Sequence, residues 1–122
     1  MRLNHLHLLV TDLDKSQEFY TRTLGFSFKV SYGPELIFLQ NKEGFDLALT
    51  PVSKRPEMPP GVHFGFRVDN HEELAGIQKS GRSLYSELFT EELRHHGSWG
   101  SFACEDPDGY VIEFYWDQAL SE

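Results

Sequence analysis

The first segment, "LNHLHLLV" (residues 3–10), alternates apolar and polar positions, the period of a half-buried β-strand. The next, "DLDKSQEFYTRTLG", changes to a helical period, with Leu13, Phe19, Tyr20 and Leu24 on one stripe. Asp14 with Gln17 reads as a capping box at its start, and Gly25 as the C′ residue at its end. Three short strands are expected at 26–31, 36–40 and 45–50, separated by the turn sequences "YGPE" and "NKEG". Residues 51–61, "PVSKRPEMPPG", hold four prolines and can be neither helix interior nor central strand. They read as a linker.

Beyond it the order recurs. "VHFGFRV" (62–68) reads as a strand. "NHEELAGIQKSG" (70–81) reads as a helix capped by Asn70 with Glu73 and ended by Gly81. Residues 83–89 are a further strand candidate, and 91–100, "EELRHHGSWG", a polar loop. "SFACED" and "YVIEFYW" (110–116) are strands joined by a tight "PDG" turn.

The two halves match. His5 and His63 stand 58 positions apart, and the same offset carries Leu6 to Phe64, Leu8 to Phe66, Val10 to Val68 and Asp12 to Asn70. The expected fold is therefore α+β, built from two βαβββ modules at about 1–50 and 62–118. One module is too small to cover its own apolar face; two suffice.

Alternation along strands divides the residues between two faces. Leu6, Leu8 and Val10 suit packing on the helix, and His5, His7 and Leu9 point the other way. Phe64 and Phe66 pack likewise, leaving His63, Gly65 and Arg67 opposite. In the last strand Ile112, Phe114 and Trp116 pack, and Val111, Glu113 and Tyr115 share the other face. His5, His63 and Glu113 are thus directed to one partly polar surface. Each alone reads as a hydrogen-bonded histidine or a solvated edge glutamate. Together, at related places in a repeat, two imidazoles and a carboxylate match one divalent cation with open coordination positions, and Fe2+, Mn2+, Zn2+ and Ni2+ all accept such ligands.

Composition narrows the class. The chain has 122 residues, 39% hydrophobic and 14% aromatic, enough for one folded domain. No apolar run approaches 20 residues, so no membrane partner is expected. A net charge of −8 disfavours nucleic acid. One cysteine, Cys104, and no recognisable export signal point to the cytoplasm; Cys104 reads as a small buried hydrophobe.

"NHLHLLVTDLDKSQEFYTRTLGF" and "EDPDGYVIEFYW" resemble the two signature stretches of the vicinal oxygen chelate superfamily, which includes glyoxalase I, extradiol dioxygenases and bleomycin resistance proteins. The resemblance spans nearly the whole chain. It implies paired modules forming a U-shaped mixed sheet with helices on its outer face, around one divalent metal held by His5, His63 and Glu113. The fourth ligand of glyoxalase I corresponds to Ala48, which cannot bind metal, so the pattern departs there; Asp46, two residues away on the same face, is the one substitute. "HHGSWGSFACEDPDG" is similar to the end of catechol dioxygenases and implies a substrate contact for His96, although their tyrosine corresponds to Ala103. The kinship also implies a homodimer, with the metal site shared between subunits if modules are swapped.

Other residues complete the expectation. His7, roughly 7 Å along the strand from His5, is the candidate general base, or else a histidine that orients a ligand. Arg67 could clamp an acidic group, and Tyr115 could donate a hydrogen bond to substrate. The reading is a metal-dependent isomerase, lyase or dioxygenase acting on a small molecule with adjacent oxygens. The alternative is a metal-free protein that sequesters small molecules, as bleomycin resistance proteins do.

Overall fold

Helix α1 (Leu13–Leu24) begins where the carboxylate of Asp12 accepts a hydrogen bond from the Lys15 N–H at 3.1 Å. The computed structural model, which describes residues 1–118, thus moves the cap two positions upstream of the expected Asp14. Asp12 has the extended backbone an N-cap requires, whereas Asp14 lies in the first turn and meets only the helix dipole. Gly25 closes the helix as expected, at φ 71°.

Around α1 the first unit, Met1–Glu57, forms a four-stranded sheet in the order β1-β4-β3-β2. Its strands are β1 (His5–Val10), β2 (Ser27–Ser31), β3 (Ile37–Gln40) and β4 (Asp46–Pro51), with one 3-10 turn at Gly33–Glu35. β1 runs parallel to β4; the other pairings are antiparallel. Leu8, Val10, Leu39, Leu47 and Leu49 are buried, as are Phe19 and Tyr20 of α1. Each such side chain removed from water contributes roughly 1.5–3 kcal/mol, and together they set which face of β1 is left for its histidines.

The second unit, Met58–Glu122, repeats the design. β5 (Phe64–Arg67) is followed by α2 (His71–Leu84), β6 (Arg94–His95), β7 (Trp99–Glu105) and β8 (Val111–Asp117), in the sheet order β5-β8-β7-β6 with β5 parallel to β8. Asn70 caps α2 by accepting from the Glu73 N–H at 2.8 Å, and the Glu73 carboxylate reaches back to the Asp69 N–H. The pairing exposes the repeat. Leu6 opposes Leu47 and His7 opposes Ala48 in unit one; Phe64 opposes Ile112 and Gly65 opposes Glu113 in unit two.

Three expectations for this half are corrected. α2 does not end at Gly81 but continues to Leu84. Gly81 is there for packing: a Cβ would lie 2.3 Å from the Phe89 ring. Residues 83–89 are not a strand, because the helix takes their first part and a turn bonded to the Tyr85 carbonyl takes the rest. The module's second strand is instead β6, two residues long, inside the segment expected to be loop. A hairpin at Gly97–Ser98 joins it to β7, with Gly97 at φ 64°.

Two turns place residues that matter later. In "PPGV" the Val62 N–H bonds the Pro59 carbonyl and Gly61 takes φ 85°, the proline-then-glycine order of a type II turn. In "DPDG" the buried Asp106 accepts from the N–H groups of Asp108 and Tyr110, both at 2.9 Å, and sets the β7–β8 register. Among the described residues no helix is long and apolar enough to cross a membrane.

Candidate metal centre

His63 is the last residue before β5, just after the type II turn. Its Nδ1 lies 2.9 Å from the Gly61 carbonyl oxygen. A carbonyl only accepts, so Nδ1 carries the proton and Nε2 presents its lone pair. That Nε2 is 3.8 Å from Oε1 of Glu113 on β8. Two metal bonds of about 2.1 Å each span up to about 4.2 Å, so one cation can touch both atoms. Both side chains are partly exposed, at 45% and 43%, leaving the remaining coordination directions open. The fixed tautomer, the carbonyl behind it and the adjacent carboxylate fit a divalent cation.

The floor beside Glu113 is low. Its cross-strand neighbours on the same face are Gly65 and Ala103. A Cβ at Gly65 would stand 3.0 Å from the Glu113 carbonyl oxygen, so close backbone approach also favours glycine there. One step further along the strands, Arg67, Tyr115 and Ser101 form the next row of that face.

In unit one, His5 and His7 are both exposed on the face of β1 turned from the helix. His5 Nδ1 is 2.9 Å from Oδ1 of Asn4; an amide oxygen accepts, so Nε2 again presents its lone pair. His7 Nε2 is 2.7 Å from the Thr50 hydroxyl. Opposite His7 stands Ala48, buried, so a methyl group occupies that place and offers no ligand. Asp46 is no free substitute: Lys29 Nζ lies 3.0 and 3.1 Å from its two oxygens, and the Gln40 amide donates to it at 3.0 Å.

His63 and Glu113 are therefore brought together, whereas His5 belongs to the other unit. Among the described residues no three His, Cys, Asp or Glu side chains group closely enough to hold one ion. Arg67 and Tyr115 face each other across β5 and β8 on the Glu113 side. His96 stacks on Trp99 at 4.3 Å between ring centroids. Trp99 opposes Asp117, four residues from Glu113 on β8 or about 13 Å at the strand rise. His96 could thus meet only the distal end of a substrate bound at Glu113. His95 turns away, stacked on the half-buried His71 at 4.0 Å.

Sequence reasoning missed the anchors Asn4 and Gly61 and the low floor at Gly65 and Ala103. The "PPG" signature announces the turn, but nothing in it announces that its carbonyl would meet His63. Cys104 is buried on the helix-facing side of β7, opposite Ile112. Burial, reinforced by the charges of Asp106, Glu105 and Glu91, pushes its thiol up to about 12.

Residues 2–114 match the family model of the glyoxalase/bleomycin resistance protein/dioxygenase superfamily. A trivalent organoarsenical cleaving enzyme from Bacillus sp. strain MD1 is 30% identical over 128 aligned positions, covering 100% of this chain and 77% of the enzyme. The solved structure of a fosfomycin resistance protein from Listeria monocytogenes superposes with a TM-score of 0.79 at 21% identity, covering 95% of this chain and 93% of that one. That of a lactoylglutathione lyase from Agrobacterium tumefaciens gives 0.74 at 19% identity, covering 98% and 96%. At these identities the structural likeness speaks for the fold.

Proposed function

From the premise that this chain belongs to the glyoxalase/bleomycin resistance protein/dioxygenase superfamily, we propose that it is a divalent-metal-dependent enzyme acting on a small substrate with two adjacent oxygens. The observation that carries the reading is the approach of His63 Nε2 to Glu113 Oε1 at 3.8 Å, with the imidazole tautomer held by Gly61. His5, its tautomer held by Asn4, is the third ligand. When bound, the ion, Fe2+, Mn2+, Zn2+ or Ni2+, supplies a Lewis acid that stabilises negative charge on substrate oxygens.

The chain's own residues supply the rest. Glu113 offsets part of the ion's charge. His7 exchanges a proton with the substrate; the Thr50 hydroxyl holds its Nε2 and leaves Nδ1 for that exchange. Arg67 and Tyr115 contact the substrate beyond the ion, and His96 its distal end. With one ligand in unit one and two in unit two, a homodimer in which each site combines ligands from both subunits is the proposed assembly. The lone, buried cysteine agrees with a cytoplasmic protein.

The name of the arsenical-cleaving relative specifies a trivalent arsenical. Soft centres of that kind favour thiolate ligands. This chain's single thiol is buried on the other face of β7 and resists ionisation. An oxygen-chelating substrate is therefore proposed here instead.

The test is metal content by mass spectrometry of the purified protein and of His63→Ala. One equivalent per site in the parent and its loss in the variant are expected. A parent free of metal that still binds small molecules after chelation would favour the sequestering reading. Oxygen uptake with catechols, set against turnover of hemithioacetals, then separates dioxygenase from isomerase or lyase chemistry.

A further inference from the structure

We infer that Glu91, outside the ligand set, is a positioning residue for Glu113 and acts on it through Ala103, an inference that rests on the proposed metal centre. The outer edge of β7 carries it. Every second N–H of β7 points away from β8 and needs a partner on that outer side. β6 pairs with β7 only at Gly100 and Ser101. Further along, the Glu105 N–H donates to the Leu88 carbonyl at 3.1 Å. Between them the Ala103 N–H donates to the Glu91 carboxylate, also at 3.1 Å. A side chain thus stands in for a strand at the residue that opposes Glu113.

Glu91 is itself held. Its carbonyl accepts from Gln78 Nε2 and Arg82 Nη2 of α2, both at 3.1 Å. The carboxylate oxygen that receives the Ala103 N–H also lies 3.8 Å from Arg94 Nη2. A charged acceptor makes a hydrogen bond roughly twice as strong as a neutral one. α2 therefore braces the edge of β7 through Glu91. Because the Ala103 N–H points outward, Ala103 and Glu113 form a non-hydrogen-bonded pair, the closer of the two antiparallel kinds, with Cα atoms about 4.5 Å apart. The Ala103 methyl stands beside the Glu113 side chain, where slack is small. Glu113 Oε1 is 3.8 Å from His63 Nε2, against about 4.2 Å for two metal bonds. A shift of Glu113 away from His63 by more than about 0.4 Å leaves one ion unable to touch both.

Isothermal titration with Mn2+, or with Zn2+ where the parent takes up no Mn2+, tests this. Glu91→Ala is expected to bind the ion roughly tenfold more weakly and to exchange the Ala103 amide proton faster. Glu91→Gln keeps an acceptor oxygen and is expected to hold most of the parental affinity. Asp12→Ala removes a helix cap in the other unit. It is expected to lower the melting temperature and leave the affinity unchanged, which separates positioning from general destabilisation. If Glu91→Ala does not fold, Glu91→Asp, with the same charge and a reach shorter by one methylene, carries the same expectation. Parental affinity in the variant that folds, equal weakening in Asp12→Ala, or a Glu91→Gln that binds no better than that variant overturns the inference alone. A parent that binds neither ion overturns the proposed metal centre and this inference with it, so the two failures are told apart by the parent's own titration.

Discussion

The Nδ1–H of His63 donates to the carbonyl of Gly61 at 2.9 Å, two residues back and inside the turn that ends the proline-rich segment. That segment therefore does more than connect. Pro60 and Gly61 set a type II turn, the turn aims a carbonyl, and the carbonyl decides which imidazole nitrogen remains for an ion. Gly61 holds φ 85° with open space around its missing Cβ, so Gly61→Ala meets backbone strain without a clash. The cost is about 1–2 kcal/mol. A lower melting temperature and a roughly tenfold weaker metal affinity, the lower end for loss of a group behind a ligand, are expected in thermal melts and metal titrations. A lower melting temperature with parental metal affinity would show that the carbonyl does not organise the ligand.

His7 and His63 make different predictions. His7→Gln leaves the proposed ligands in place and removes the titratable ring. Metal content should hold while kcat falls about 100-fold, the scale of a lost general base. Metal loss from His7→Gln would make His7 a ligand or a ligand's support instead.

The two candidate caps of α1 are separable by stability. Asp12→Ala removes the acceptor for the Lys15 N–H and should cost about 1 kcal/mol in urea unfolding. Asp14→Ala loses only an interaction with the helix dipole, about 0.5 kcal/mol or less for an exposed site. Equal losses would contradict the assigned cap.

Gly81 opposes two effects of known sign. Alanine in a helix interior gains about 1 kcal/mol over glycine, but here its methyl would stand 2.3–2.4 Å from three atoms of the Phe89 ring. Overpacking costs about 1–3 kcal/mol. Gly81→Ala should therefore destabilise, whereas Gly76→Ala, on the same helix with nothing near its Cβ, should stabilise. Chemical denaturation of the two variants reads the sign directly.

Cys104 gives a pH dependence. Its thiol rises from 9.0 to about 12 in the folded chain, chiefly through burial. The folded state therefore holds this proton more tightly than the unfolded state does. The associated stability is complete below pH 9 and is lost as pH rises from 9 towards 12, by at most about 1.4 kcal/mol per pH unit. Cys104→Ala should flatten that alkaline loss, and a thiol reagent should label the parent only as fast as it opens. Rapid native labelling at pH 8 would refute the inert thiol.

Local patterns in the chain determined the fold class. Alternation in β1 and β8, the 3.6-residue stripe of α1, and the Asn70 and Gly25 caps act over a few residues, so each is written in adjacent letters. The offset between His5 and His63 announced the duplication, and the strand faces nominated His5, His63 and Glu113. Tertiary structure decided what depends on distant partners. Gly81 looks like a helix terminator until Phe89 arrives against it; β6 is a strand because β7 bonds it, not because two residues prefer to extend. Register is likewise non-local. Only the β5–β8–β7 pairing sets Glu113 between Gly65 and Ala103 and lines up Arg67, Tyr115 and Ser101 beside it. A period of two tells each residue its face, but hydrogen bonds between strands far apart in sequence choose its neighbours on that face.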